Sequence, residues 1–380
     1  MATTPESLPA PSLSEEERFY VASQWKLVWL RFRRHRLALA SVAVIGAFYF
    51  VVLFPEFLAI HDPLKVDSQR VFVEPQRVHI FDGLTPSFPY VYDLNVTRNP
   101  VSLRLEYTTE KTKKHRIRFF VRGYEYKLWR QFRTNIHLMG VDGEQGMRNF
   151  HPIGTDRMGR DMWSRVMYGT RISMSIGLVG VTISLILGVL LGGLSGYFGG
   201  LTDILIQRLV EFIRSIPTIP LWLALAAAVP ADWSILRVYF AITIIISLIG
   251  WTTLAREVRG RFLALRQEDF VVAARLYGTG PLRIILRHMV PSFTSHIIAT
   301  TTLAIPAIII AETALSFLGL GMRQPAISWG VLLKEGQNVQ SVALAPWVLL
   351  PGLLVIVAIL AFNFLGDGLR DAADPYSVRK

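Results

Sequence analysis

Six stretches of about twenty residues, nearly free of charge, constrain this chain more than anything else in it. They run Leu37–Phe57, Ile172–Tyr197, Ile204–Val229, Ile235–Leu254, Ser295–Phe317 and Trp347–Leu365. A helix of about 20 residues crosses a ~30 Å hydrocarbon layer and satisfies its own backbone hydrogen bonds there, which no irregular segment can do. The sequence therefore predicts an all-α polytopic membrane protein of six transmembrane helices. The third stretch is the weakest, because Gln207, Arg208, Glu211 and Arg214 occupy its first turns. Those groups sit at the interface or face other helices.

Composition agrees. Hydrophobic residues make up 52% of the chain, and the mean hydropathy is +0.39. The absence of cysteine excludes disulfides, thiolate metal sites and a cysteine nucleophile. A net charge of +12 could indicate nucleic acid. Here, however, the arginines cluster just outside the apolar stretches, the distribution that membrane topology imposes, so no nucleic-acid partner is expected. Residues Met1 to Gln24 are polar, and Arg31, Arg33, Arg34 and Arg36 precede the first apolar stretch. That stretch exceeds a signal-peptide core and lacks a small-x-small cleavage site, so it is expected to remain as a span.

Orientation follows from the short loops. The connection Arg256–His288 carries Arg256, Arg259, Arg261, Arg266, Arg275, Arg283 and Arg287 against Glu257, Glu268 and Asp269. The N-terminal flank is basic too, and the chain ends in Arg379 and Lys380, whereas Ala231–Ser234 and Met322–Ala345 are poor in Lys and Arg. Both termini and the basic loop are thus expected in the cytoplasm. The expected organisation is a cytoplasmic tail (1–36), a first transmembrane helix (37–60), an extracytoplasmic insert (61–165), a membrane domain (166–366) with a cytoplasmic loop at 256–291, and a cytoplasmic tail (367–380). The insert is basic but long, and long loops translocate largely regardless of charge. It reads as a small β-rich unit. Ser102–Thr108 alternates Leu103, Leu105 and Tyr107 with Arg104 and Glu106, a polar turn is expected at Glu110–His115, and a second strand at Arg116–Val121. Further strands are expected near Arg77–Phe81 and Tyr90–Leu94.

Within the basic loop, Glu268 and Asp269 open a helical pattern where negative charge is favoured, Gly278 suits its C-cap, and Pro281 suits the first turn of the next helix. Phe270, Val271, Ala273, Ala274 and Tyr277 give an apolar face. Either that face packs on the protein's own membrane domain or it receives a partner. His151–Asp161, with Gly154, Asp156, Gly159 and Arg160, lacks the strand–helix context of a phosphate loop. It reads as a tight cap on the second helix, with a partner or gating contact as the other reading. Gly188, Gly192 and Gly196 form a small-xxx-small ladder, either for packing within the chain or for a partner or pathway. Glu312 is a carboxylate near membrane depth, either in contact with substrate or a gate, or capped by a neighbouring helix. Pro306, Pro217 and Pro220 are expected to kink their helices. His288 and His296 lack carboxylates at metal-ligand spacing, and no catalytic triad, metal site or P-loop is visible.

These elements together resemble the C-type permease subunit of the oligopeptide/dipeptide/nickel family of ATP-binding-cassette (ABC) importers, a binding-protein-dependent inner-membrane component. His151-Pro-Ile-Gly-Thr-Asp-Arg-Met-Gly-Arg-Asp161 is similar to the family's HPLGTDxxGRD element, and Glu312-Thr-Ala-Leu-Ser-Phe-Leu-Gly-Leu-Gly321 to EAALSFLGLG. Tyr168–Ser173, Gly196–Gly200, Ser328–Gly330, Asn363–Asp371 and Asp374-Pro375 follow in family order. The basic loop resembles the family's EAA loop: Ala273 and Ala274 match the alanines, Gly278 the glycine, and Pro291 the closing proline, while Val272 stands in place of the glutamate. The resemblance implies a non-enzymatic transport subunit in the bacterial inner membrane that carries half of a translocation pathway. It implies a second, homologous permease, two ATPase subunits that use ATP and Mg, and an extracytoplasmic solute-binding protein. No cofactor is expected on this chain. Asp269, Phe270, Val272, Ala273, Ala274, Gly278, Leu282 and Pro291 would dock the ATPase, and Glu312, Pro306, Gly192 and Gly196 would lie on the pathway or its gate. Two other classes stand beside it, a membrane sensor or scaffold that recognises a ligand with the β-rich insert, and a self-contained ion-coupled transporter. The family's solutes include peptides, nickel, opines and oligosaccharides, and the insert from about Leu64 to Phe150 is longer than its usual loop.

Overall fold

A computed structural model of the chain describes residues 24–82, 85–101, 105–129, 131–230 and 232–373. The expected tails fall partly outside these residues, at 1–23 and 374–380, as do Ser102, Leu103 and Arg104 of the expected strand. Helix α1, Gln24–Phe32, leads into α2, Arg36–Leu53, which is N-capped by the His35 ring accepting from the Ala38 amide at 3.1 Å. Phe54 leaves the helical region ahead of Pro55, as a residue before proline tends to, and a short helix α3, Pro55–Leu58, follows.

The β-rich unit lies in the chain between α3 and the next long helix. It is a four-stranded antiparallel meander in the order β1 His79–Asp82, β2 Thr85–Arg98, β3 Leu105–Leu128 and β4 Phe132–Val141. One expectation is corrected here: residues 110–115 do not turn the chain but continue β3. The register steps from Tyr92↔Lys114 to Asp93↔Glu110, so the extra residues of β3 are accommodated as a bulge opposite β2. The segment is polar on both faces, which hid the strand period. The hairpins instead turn between β2 and β3 and between β3 and β4.

Helix α4, Met162–Phe198, has 37 residues, or roughly 55 Å at 1.5 Å per residue, so it projects beyond a ~30 Å hydrocarbon layer. The expected third span is two helices, α5 Gly200–Ser215 and α6 Thr218–Ala227, bent by 85°. Pro217 lies in the break, where it lacks an amide to continue the ladder. Then come α7 Ile235–Leu265, α8 Asp269–Leu276, α9 Thr294–Phe317, α10 Trp329–Leu333 and α11 Leu350–Ala373. Helix α9 runs through Pro306 without a break. Among the described residues, five helices are long and apolar enough to cross a membrane, and the bent pair would make a sixth crossing.

The core lies where α4, α7, α9 and α11 meet, around Met174, Ile176, Ile242, Ile246, Ile308, Ile309 and Phe362. Helices α4 and α7 touch most extensively, and glycine sets their separation. A Cβ on Gly192 would lie 2.4 Å from the Ala255 carbonyl oxygen, and one on Gly196 would lie 2.5 Å from Phe262 Cβ. The end of the first span is stitched to the start of α4. Arg171 donates to the Val52 carbonyl at 2.9 Å and pairs with Glu56, and Trp163 donates to the Leu58 carbonyl at 2.8 Å.

Candidate functional site

The basic loop folds into a short surface element with two different faces. Helix α8 ends in a Schellman motif: the Thr279 amide bonds the Ala274 carbonyl at 3.1 Å and the Gly278 amide bonds the Arg275 carbonyl at 3.0 Å. That ending needs the left-handed backbone Gly278 adopts, φ +73°. Pro281 then opens the next turn, which passes into a single π-helical segment, Ile284–Met289. Val271 and Ala274 point inward and pack with Phe262, Ile284, Ile285 and Met289. Phe270, Val272, Ala273 and Leu282 point outward. Leu276 and Tyr277 are more exposed than Phe270, Val272 and Leu282, at 83% and 90%. The apolar set read from the sequence therefore splits in two. Ala274 anchors the element to its own protein, and Leu276, which pattern reading passed over, joins the outward surface. Asp269 is exposed in the first turn, and Pro291 is exposed at the far end.

The residues named for a pathway are not gathered in one place. Glu312 is fully buried on α9 and accepts hydrogen bonds from Ser173 Oγ of α4 at 3.0 Å and Ser316 Oγ at 2.8 Å. Ser173 Oγ in turn accepts the Trp329 amide at 3.0 Å, and the Trp329 indole donates to Thr170 Oγ1 at 3.1 Å. A buried carboxylate is costly unless hydrogen-bonded, and here it becomes the knot that ties α4, α9 and the Ser328–Trp329 segment together. Gly192 and Gly196 face α7 of the same chain, and Pro306 is buried within α9. Ser316 lies one turn on from Glu312 in the same motif, whereas Ser173 gave no sequence signal because it lies on α4.

The His151–Asp161 element forms a closed cap on α4. Asp161 Oδ2 accepts the Ser164 amide at 2.8 Å and its hydroxyl at 2.6 Å, while Oδ1 takes a hydrogen bond from His151 Nδ1 at 2.9 Å. Asp156 accepts from the Met158 and Arg160 amides at 2.8 and 3.0 Å and pairs with Arg160 Nε at 2.7 Å and with Arg165. Arg160 and Arg157 extend the network to Glu335, at 3.4 and 2.9 Å. Gly154 and Gly159 have positive φ, and a Cβ on Gly159 would lie 1.9 Å from the Asp67 carbonyl oxygen. His61, His151 and Asp161 bring possible ligand atoms within 4.8 Å of one another, a cluster the sequence did not reveal. His61 Nε2 already meets the Phe150 carbonyl at 2.9 Å, and both Asp161 oxygens are taken, one by His151 and one by Ser164. Burial raises the Asp161 carboxyl, but its bond to His151, the two histidines and Ser164 outweigh burial and hold it below the usual carboxylate range. Burial lowers the His61 imidazole, against the pull of Asp161.

Long apolar helices, a capped surface loop with an uncovered apolar face and a closed cap on α4 define a multi-pass membrane protein. Residues 185–377 match the binding-protein-dependent transport system inner membrane component family, and residues 23–75 match the N-terminal transmembrane domain of oligopeptide transport permease C. A Haemophilus influenzae protein, oligopeptide transport system permease protein OppC, is 40% identical over 230 residues, which cover 60% of this chain and 71% of the relative. A putative peptide permease protein of Brucella suis is 36% identical over 253 residues, covering 66% and 81%. The Bacillus subtilis dipeptide transport system permease protein DppC is 36% identical over 227 residues, covering 59% and 68%. The chain belongs to the binding-protein-dependent transport inner membrane component family, as an ABC-importer permease subunit and not an enzyme. Membership favours the importer over the sensor reading.

Proposed function

We propose that this chain forms one half of the translocation pathway of an ATP-driven peptide importer and couples it to ATP hydrolysis through the 269–278 helix. The carrying observation is the loop surface. Phe270, Val272, Leu276 and Tyr277 are apolar and exposed on or at the end of a helix whose other face is fixed by buried Val271 and Ala274, and Leu282 is exposed on the turn that follows. A rigid element with an uncovered apolar face suits a partner surface. The partner is one of two ATPase subunits, which bind and hydrolyse ATP with Mg while this chain binds no cofactor. A second, homologous permease supplies the other half of the pathway, and an extracytoplasmic solute-binding protein delivers the solute. The bent α5–α6 pair counts as the third of six crossings, residues 61–165 lie outside, and both termini and the basic loop lie inside. Closure of the ATPases would move α8 and, through the Val271–Met289 packing, rock α4 and α7 so that the pathway opens to alternate sides. Peptide is the solute class, from the names of the relatives.

The test is co-purification of the tagged full chain from its native host in mild detergent, beside Tyr277→Asp and Gly278→Asp. Tyr277 is almost wholly exposed, so Tyr277→Asp should insert and elute normally, whereas Gly278→Asp has room for its Cβ but strains the left-handed helix ending at φ +73°. Wild type should bring a second permease and two ATPase chains, and the ATPases should be lost from the variants. Wild type without any ATPase at matched expression would sink the proposal.

A further inference from the structure

The β3–β4 hairpin carries a surface that transport leaves unused. Its turn meets the end of the first span: the Trp129 indole donates to the Leu53 carbonyl at 2.9 Å, and its ring lies 5.5 Å from that of Phe54. Further along β3, the Phe120 ring lies 6.1 Å from that of Phe57. Both aromatic residues have positive φ, +56° at Phe120 and +49° at Trp129, a conformation that bulky residues rarely adopt. The backbone thus departs from its regular course where it presents these two rings to the last turns of the span. The protein nevertheless leaves them largely uncovered, with Phe120 69%, Trp129 50% and Phe132 59% exposed.

Two observations identify what covers them. First, the patch continues an apolar surface of the span itself, where Phe50 and Leu53 are also half exposed and only 17% of the span's apolar window is buried inside the protein. Second, the hairpin from 118 to 133 holds Arg118, Arg122, Lys127, Arg130 and Arg133 against one acid, Glu125. Arg118 is paired with Asp142 at 2.8 Å. Arg122, Lys127 and Arg133 are exposed and make no ion pair among the described residues. Aromatic rings at the level where a span leaves the hydrocarbon, flanked by free cations, match the chemistry of a lipid headgroup layer.

We infer that the β3–β4 hairpin is an interfacial membrane anchor. Phe120, Trp129 and Phe132 enter the headgroup layer beside the end of the first span, and Arg122, Lys127 and Arg133 engage anionic phospholipid headgroups. The anchor would fix the height and tilt of the sheet over the membrane.

The absence of cysteine from the chain makes the test direct. Single cysteines at Phe120 and Phe132, and at Val101, which is 92% exposed, would carry a nitroxide in the purified full chain. Nanodiscs would be made of phosphatidylcholine alone or with a quarter phosphatidylglycerol. Collision with oxygen, which concentrates in lipid, is compared with collision with a water-soluble nickel chelate. Labels at Phe120 and Phe132 should favour oxygen several-fold more than the label at Val101, with a deeper reading when anionic lipid is present. Arg122→Gln with Lys127→Gln and Arg133→Gln should abolish that lipid dependence. Labels at Phe120 and Phe132 that behave like Val101 would overturn the anchor. Labels shielded from both reagents would also overturn it and assign the patch to a protein partner. Equal depth in the two lipid mixtures would overturn the anionic-headgroup part.

Discussion

Glu312 was visible in the sequence as an acid inside an apolar stretch, yet what it does was not, because Ser173, which also receives the Trp329 amide, reaches it from a distant part of the chain. In the fold its two oxygens each accept from a serine, so the carboxylate is a structural acceptor before it is anything else. Glu312→Ala would remove both acceptors, leave two buried hydroxyls to find new partners and open a void. Each stranded hydroxyl costs on the order of 1–3 kcal/mol, and the void adds to that. Glu312→Gln keeps the volume and one oxygen. Thermal unfolding of the purified full chain should therefore place Glu312→Ala well below wild type and Glu312→Gln close to it. Equal loss in both variants would show that the negative charge, rather than the acceptor geometry, holds the helices together. Gly278 was the easier residue to read, since the left-handed helix ending leaves few other choices.

At the level of elements, lipid made the long helices legible, because a crossing demands an unbroken apolar run of fixed length. The extension of α4 beyond its apolar part was not legible, since it depends on the Asp161 cap and the contacts of polar Ser164 and Arg165. Nor was the unbroken course of β3 through Lys111–Lys114, where both faces are polar and the period disappears. Proline marked the break near Pro217 but not its 85° angle, which packing decides. The glycine ladder was read with two outcomes open, and its geometry places it in the α4–α7 contact. Gly192→Ala would put a methyl group into the Ala255 backbone, so α7 must move away, at about 1–3 kcal/mol as for other overpacked contacts. Gly260→Ala on α7, where a Cβ meets nothing within 4 Å, should be neutral or slightly stabilising. Melting of the two variants side by side checks this, and equal midpoints would mean that the helices can separate freely at that level.

For the whole molecule the decisive matter is whether the bent α5–α6 pair crosses, because every later loop changes sides with the answer. Among the described residues five helices qualify alone, and an 85° bend is compatible with a broken span or with a segment that returns to its own side. Charge supplies an argument for crossing. With six crossings, the arginine-rich 256–288 loop shares the side of the basic N-terminal flank. With five, it would lie on the opposite side, against the usual distribution for short loops. The docking surface of α8 would then face away from any cytoplasmic ATPase. Two exposed positions discriminate, Gln267 and Val339, and two more, Arg34 and Lys113, fix the inside and outside references. Placed one at a time as cysteines in this cysteine-free chain, they can be challenged in intact cells with a membrane-impermeant maleimide. Outer-membrane passage of the reagent is checked on a known external thiol. Six crossings predict that Lys113→Cys and Val339→Cys react in intact cells, while Arg34→Cys and Gln267→Cys react only after the membrane is opened. Five crossings predict the exchange of Gln267 and Val339, with Lys113 and Arg34 unchanged. That exchange would remove the basis for coupling through α8.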